Sequence, residues 1–200
     1  MNVKKSELAG TFFNCGQLPA DGRPKILFFG RSNVGKSSLI NTLLEHRLAK
    51  TSSTPGKTLS VNYYLIECAR KGASRMDNKL LFADLPGYGF AKVSKDESVR
   101  VRQLIVDFLD RVENVCLAAL LIDSRRGFLP PDLDTLAQIV EKKFPILTIL
   151  TKSDKISFSE QQNLNTQLKT KFGLQAISFS IKSQAGKNEI WKYIKEAIKE

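Results

Sequence analysis

Gly30-Arg31-Ser32-Asn33-Val34-Gly35-Lys36-Ser37 sets the architecture of this chain. It matches G-x-x-x-x-G-K-[ST] and lies between an apolar run at residues 25–29 and helical spacing over residues 37–44. Glycines at 30 and 35 let the backbone wrap closely enough for successive N–H groups to point inward. The helix that follows adds the partial positive charge of its N-terminus. Lys36 can reach β- and γ-phosphates, and the Ser37 hydroxyl can ligate Mg²⁺. The spacing predicts nucleotide binding.

Strand and helix patterns alternate on either side of this loop. Residues 61–66 and 79–83 read as strands, and residues 115–122 form a continuous apolar run suited to a strand buried on both faces. Ser94-x-x-Glu97 offers a capping box for a helix carrying Leu104, Ile105, Phe108, Leu109 and Val112 on one face. Pro130-Pro131 opens a helix through Leu136, Ile139 and Val140, residues 146–150 form a strand, and residues 159–172 a helix stopped at Gly173. A strand at 176–179 and a helix marked by Ile190, Trp191, Ile194 and Ile198 close the chain, with Trp191 expected in the core. Strands separated by helices predict an α/β, three-layer αβα domain, its mainly parallel sheet covered by helices on both faces. The expected organisation is a loose N-terminal arm at 1–22, a nucleotide-binding domain at 23–200, and an exposed hairpin loop at 68–78 carrying Arg70, Lys71, Gly72 and Arg75.

Two further motifs follow strand ends. Asp84-Leu85-Pro86-Gly87 is weak alone, but in a phosphate-loop protein Asp84 can hold the metal through water while the Gly87 N–H meets the γ-phosphate. Thr151-Lys152-Ser153-Asp154 is more specific. A carboxylate in the plane of a base accepts from guanine N1–H and its exocyclic amine, a donor pair that adenine lacks. Asp154 would therefore select guanine, with the aliphatic stem of Lys152 lying along the base. The plainer reading of this segment is a helix N-cap at Ser153 or Asp154. Ser180-Ile181-Lys182, after a last strand that ends at Phe179, can offer a backbone N–H to the guanine oxygen, so Phe179, Ser180 and Ile181 are candidate base-site residues. Thr51-Ser52-Ser53-Thr54-Pro55-Gly56-Lys57-Thr58 is a polar loop by composition, and such a segment can act as an order–disorder switch that follows the γ-phosphate.

Taken together, Gly30 to Ser38, Pro55-Gly56-Lys57-Thr58 with Leu59 and Ser60 following, the stretch from Asp84 to Lys92, and Thr151 to Asp154 resemble the EngB-type (YihA/YsxC) bacterial GTPases of the Era/translation-factor-like branch. The resemblance runs from about residue 18 to the C-terminus. It implies a Ras-like P-loop GTPase that switches between GTP and GDP, used in large ribosomal subunit assembly and needed for normal cell division and septation. By the family pattern the switch threonine is Thr58, so Ser37 and Thr58 are the implied Mg²⁺ ligands, and Lys36, Thr58 and Gly87 the catalytic set. Asn33 matches an asparagine that helps hold K⁺ in related GTPases. Position 88 is Tyr, where Ras-like proteins have a water-orienting glutamine, so slow intrinsic hydrolysis is expected, with K⁺ or a partner supplying the missing element. Ile181 departs from the smaller residue usual there.

Composition sets the outer bounds. With 31 Lys+Arg against 20 Asp+Glu the chain carries +11, and +6 of it (nine basic, three acidic) lies in residues 1–57. Such an excess suits polyanionic partners; the motifs make one of them guanine nucleotide, and the resemblance implies ribosomal RNA on a large-subunit precursor as the other. Cys15, Cys68 and Cys116 are widely spaced and His46 is the only histidine, which argues against structural zinc or a disulfide scaffold. No apolar run approaches the length of a membrane span, and a cytoplasmic monomer is expected. The competing readings are a P-loop kinase or ATPase, which Asp154 opposes, and a basic RNA- or membrane-binding module with a structural nucleotide site.

Overall fold

The computed structural model describes residues 2–50, 60–69, 78–89 and 95–199, without the side chains of Asn2 and Lys95. Twelve longer elements alternate along the chain: β1 (Asn2–Phe12), β2 (Lys25–Gly30), α1 (Lys36–Leu44), β3 (Val61–Ala69), β4 (Lys79–Asp84), α2 (Lys95–Arg111), β5 (Val115–Asp123), α3 (Pro130–Glu141), β6 (Ile146–Thr151), α4 (Phe158–Phe172), β7 (Ala176–Phe179) and α5 (Lys187–Ala197). The strands form one seven-stranded sheet in the order β1-β3-β4-β2-β5-β6-β7. Strands β4, β2, β5, β6 and β7 run parallel, and β1 and β3 pair antiparallel at one edge.

Strand β2 shows why the sheet needs two helical layers. Ile26 and Phe28 join one apolar cluster with Leu39, Leu43, Trp191 and Ile194, from α1 and α5. Their neighbours Leu27 and Phe29 join a second cluster with Ile105, Phe108, Ile139 and Leu168, from α2, α3 and α4. All four β2 side chains are fully buried, so an unbroken apolar run marks a strand covered on both faces. The three-layer αβα architecture is the expected one, and Trp191 lies in the core, 5.7 Å from the Phe82 ring.

The N-terminal arm differs from expectation. Residues 2–12 are not loose but form the edge strand β1, paired with β3 from Asn2↔Ala69 to Phe12↔Val61. Register shifts between Val3 and Lys5 and between Leu8 and Gly10 break the period-two alternation, which hid the strand from a pattern reading. Phe12 anchors it, edge-on to Tyr63 at 5.2 Å between ring centroids. The expected loop at 68–78 is shorter than its sequence suggested. Cys68 is a buried β3 residue whose N–H donates to the Asn78 carbonyl at 2.9 Å. The hairpin base is thus described, whereas Arg70, Lys71, Gly72 and Arg75 lie outside the described residues, as does the Ser94 cap. Helix α4 starts at Phe158, one residue earlier than its apolar pattern implied, and its cap is Ser157, closed by a reciprocal bond with Glu160.

Candidate functional site

Parallel pairing brings five strand ends into register. Phe28 of β2 pairs with Asp84 of β4, Gly30 with Leu121 of β5, Asp123 with Thr151, and Thr151 in turn with Phe179 of β7. The predicted motifs therefore converge at the carboxyl edge of the sheet, where open α/β sheets place their ligands.

The loop from Gly30 to Lys36 turns sharply between β2 and α1. Gly35 caps α1 at φ 108°, a conformation that side-chain-bearing residues rarely adopt. Asn33 is also left-handed, at φ 62°. The loop is braced from β6: Thr151 Oγ1 donates to the Val34 carbonyl at 2.6 Å and lies 3.2 Å from the Ile122 carbonyl. Lys36, in the first turn of α1, is buried. Its ammonium pairs with the Asp84 carboxylate and donates to the Leu85 carbonyl at 2.6 Å. Ser37 and Ser38 follow, both half-buried at the helix N-terminus.

The segment after β4 packs directly on this loop. The Ser32 N–H donates to the Tyr88 carbonyl at 3.0 Å, and Arg31 bridges Tyr88. Gly87 sits so close to Ser32 that a Cβ there would lie 2.9 Å from its Oγ and 3.2 Å from its main chain. Pro86 and Leu85 are buried beneath. Gly87 is therefore fixed by contact with the phosphate loop, rather than merely placed in a turn.

On the base side, Asp154 belongs to a short 3₁₀ turn (Ser153–Lys155) and caps no helix, so the N-cap reading does not hold. Its Oδ1 accepts from Ser180 Oγ at 2.9 Å. That hydrogen bond, with Lys155 nearby, holds the carboxyl below its ordinary range, ionised and ready to accept. Ser180 Oγ also accepts from the N–H groups of Lys182 and Ser183 at 3.2 and 3.4 Å, shaping the turn after β7. Phe179 is buried and Ile181 half exposed beside it.

Lys152, at φ 57°, is tied to the phosphate loop: its ammonium donates to the Asn33 carbonyl at 2.7 Å and to Asp123 Oδ2 at 2.9 Å. Asp123 also accepts from Arg125, at 2.9 Å from Nε and 2.7 Å from Nη2. Burial pushes the Asp123 carboxyl upward, but the bonds from Arg125 and Lys152 outweigh it and hold it well below the carboxylate range. Thr151, Asp123 and Ser180 are the residues that sequence reasoning missed as supports. Only their positions at strand ends could have flagged them.

A groove of about 930 Å³ lies between α1 and the turn after β7, with Ser38, Asn41, Lys50, Ile181 and Lys187 on its walls. Of the expected switch residues, Gly56, Lys57, Thr58 and Leu59 lie outside the described residues, while Ser60 is buried ahead of β3. The oxygen donors present, the Ser37 hydroxyl and the Asp84 carboxylate, suit a hard divalent cation. No helix among the described residues is long and apolar enough to cross a membrane.

Comparison with known proteins places the chain among GTP-binding proteins. A family model described as 50S ribosome-binding GTPase matches residues 25–152. A probable GTP-binding protein EngB of Kosmotoga olearia is 40% identical over 198 residues, covering 97% of this chain and 99% of that protein. A probable EngB of Natranaerobius thermophilus is 37% identical, covering 99% and 100%. The crystal structure of a probable GTP-binding protein EngB superposes with TM-score 0.67 at 27% identity over 88% of this chain and 98% of that one. Era, in a complex with MgGDPNP and a segment of 16S ribosomal RNA, shares the fold at TM-score 0.69 and 23% identity, over 86% of this chain and 55% of that one.

Proposed function

This chain belongs to the EngB family of GTP-binding proteins, and on that basis we propose that it is a Mg²⁺-dependent GTP switch acting in large ribosomal subunit assembly. The observation that carries the reading is the meeting of a phosphate-side pair, Lys36 and Asp84, with a base-side pair, Asp154 and Ser180, along one sheet edge. The N–H groups of Asn33 and Gly35 and of the start of α1 receive the phosphates, those of Ser32 and Val34 being engaged by the Tyr88 and Arg31 carbonyls. Lys36 gives up its contacts with Asp84 and Leu85 to reach the β- and γ-oxygens. Asp154 accepts from the guanine N1–H and amine, held in place by Ser180, and a backbone N–H at Ile181 meets the guanine oxygen. Ser37, with Thr58 from the switch loop, holds the metal, and Asp84 supports it through water. Bound Mg²⁺ neutralises charge on the β- and γ-phosphates. The Gly87 N–H reports the γ-phosphate, as does the segment at Gly56 to Ser60.

Hydrolysis is slow in this reading because Tyr88 is buried and its hydroxyl is engaged by Asp132, so residue 88 offers nothing to orient water. K⁺ held at Asn33, or a partner, supplies the missing charge. Equal turnover in K⁺ and Na⁺ buffers would remove the cation from the scheme. The partner is a large-subunit precursor, approached through ribosomal RNA by the basic surface; action is cytoplasmic and monomeric, and division and septation depend on it indirectly. Depletion followed by sucrose-gradient sedimentation tests this. Mature large subunits should fall and lighter precursors accumulate, whereas unchanged profiles would refute the assembly role. Pull-down of ribosomal particles with GDP and with a non-hydrolysable GTP analogue separates a switch from a constitutive RNA-binding module, which would be retained equally by both.

A further inference from the structure

Three residues distant in sequence meet in a buried polar cluster behind the phosphate loop. Asp132, in the first turn of α3, is 0% exposed. Its Oδ1 accepts from the Tyr88 hydroxyl at 3.0 Å, and its Oδ2 accepts from the Leu129 N–H at 3.0 Å. Arg31 Nε lies 3.1 Å from Oδ2, angled so that the contact is charge pairing rather than a hydrogen bond. Arg31 is the second residue of the phosphate loop, and Tyr88 directly follows Gly87.

A helix cap accounts for only part of this. The cap uses the bond to Leu129 alone, and an exposed aspartate makes it as well as a buried one. Removing a carboxylate from water costs several kcal/mol, and apolar replacements of buried ion pairs are often neutral or stabilising, so stability alone does not explain the arrangement. Its distinctive property is mechanical linkage. Tyr88 is held at its hydroxyl by Asp132 and at its main chain by Arg31 and Ser32, while Gly87 is pressed onto Ser32. Tyr88 cannot shift without carrying Gly87 away from the phosphate loop. Burial, with the adjacent Asp132 charge, pushes the Tyr88 phenol far above its ordinary range, so it remains a hydrogen-bond donor at any working pH.

We propose that Asp132 is a positioning residue which, with Arg31, clamps Tyr88 and so presets the Gly87 N–H for the γ-phosphate. The inference rests on the GTP-switch reading above. In place of a mobile water-orienting residue, position 88 is the fixed end of the γ-phosphate sensor, and α3 is tied to that sensor through one carboxylate.

The test compares Tyr88→Phe and Asp132→Asn with the parent chain, by titration with GDP and with a non-hydrolysable GTP analogue. Tyr88→Phe removes a single hydroxyl and preserves the ring packing. Asp132→Asn retains an acceptor for Tyr88 but discards the charge facing Arg31. Both variants should weaken the GTP analogue about tenfold while leaving GDP within about twofold, since one charge-assisted bond supports only the γ-phosphate contact. An unchanged ratio of the two affinities in both variants overturns the proposal. So does equal weakening of both nucleotides, which would mark a purely structural cluster. A parent protein that binds neither nucleotide overturns the GTP reading itself, and this inference with it.

Discussion

Lys152 reaches from the end of β6 to the phosphate loop, its ammonium donating to the main-chain carbonyl of Asn33 at 2.7 Å. One side chain thereby joins the base-recognition segment to the phosphate-recognition segment, and Asp123 steadies it from β5 at 2.9 Å. Replacement by alanine removes a charged donor shared by both halves. Lys152→Ala should weaken GTP and GDP alike, by about tenfold, because hydrogen bonds to charged groups contribute roughly 1.5–3 kcal/mol. Fluorescent-nucleotide titration measures it, and a loss confined to one nucleotide would contradict this bracing role.

Lys36→Ala acts twice. It takes the ammonium from the phosphates, and it leaves the buried Asp84 carboxylate without its partner. Nucleotide affinity should fall by on the order of 10²–10³-fold, or about 3–4 kcal/mol, within the about 2–5 kcal/mol that truncating a buried charge pair costs. The melting temperature should fall as well. Retained micromolar GTP affinity would remove Lys36 from the phosphate site.

The proposed base site predicts that selectivity follows Asp154, whose Oδ1 accepts from Ser180 Oγ at 2.9 Å. Asp154→Asn exchanges an acceptor for a donor where guanine presents its amine, and xanthine presents an oxygen there instead. Affinity for guanine nucleotides should drop by about two orders of magnitude while xanthine nucleotides gain. Ser180→Ala should lower guanine affinity less, without changing the preferred base. Competition between the two nucleotides reads both effects, and unaltered guanine preference in Asp154→Asn would place the base elsewhere.

Asp123 gives the fold an acid-sensitive point. Burial opposes its ionisation, yet the bonds from Arg125 and Lys152 prevail and hold its folded pKa below the unfolded value of about 3.9. A depressed carboxylate stabilises the fold above the unfolded pKa, and that contribution is lost as pH falls through the folded one. Asp123→Asn should therefore melt at a lower temperature than the parent at pH 7, with the gap narrowing below about pH 4. A gap of constant size from pH 7 to pH 3 would show that the charge is not what stabilises this corner.

Residues bound by local spacing are legible in the amino-acid chain. The loop from Gly30 to Ser37 carries its own conformational requirements, and Ile26 to Phe29 or Leu117 to Ile122 announce buried strands because neighbouring positions must all be apolar. Asp84 and Asp154 stand out because each follows such a strand. Strand β1 is not legible, since two register shifts scramble its alternation and its partner β3 begins some fifty residues later. The start of α4 at Phe158 is not legible because that side chain, 74% exposed, contributes nothing to the apolar stripe that locates the helix.

Short-range patterns of backbone geometry and burial are enough to specify the layered α/β fold and the glycine loop, and to single out Asp154 behind its strand, so all three can be read from the order of the residues. What supports them depends on the assembled sheet. Ser180 on Asp154, Lys152 on Asn33, Thr151 on Val34, and Asp132 joined to Tyr88 and Arg31 all follow from which strand ends lie side by side. Hydrogen bonds across 26 to 119 residues of chain leave no periodic trace, since any polar side chain at those positions satisfies the local pattern equally well.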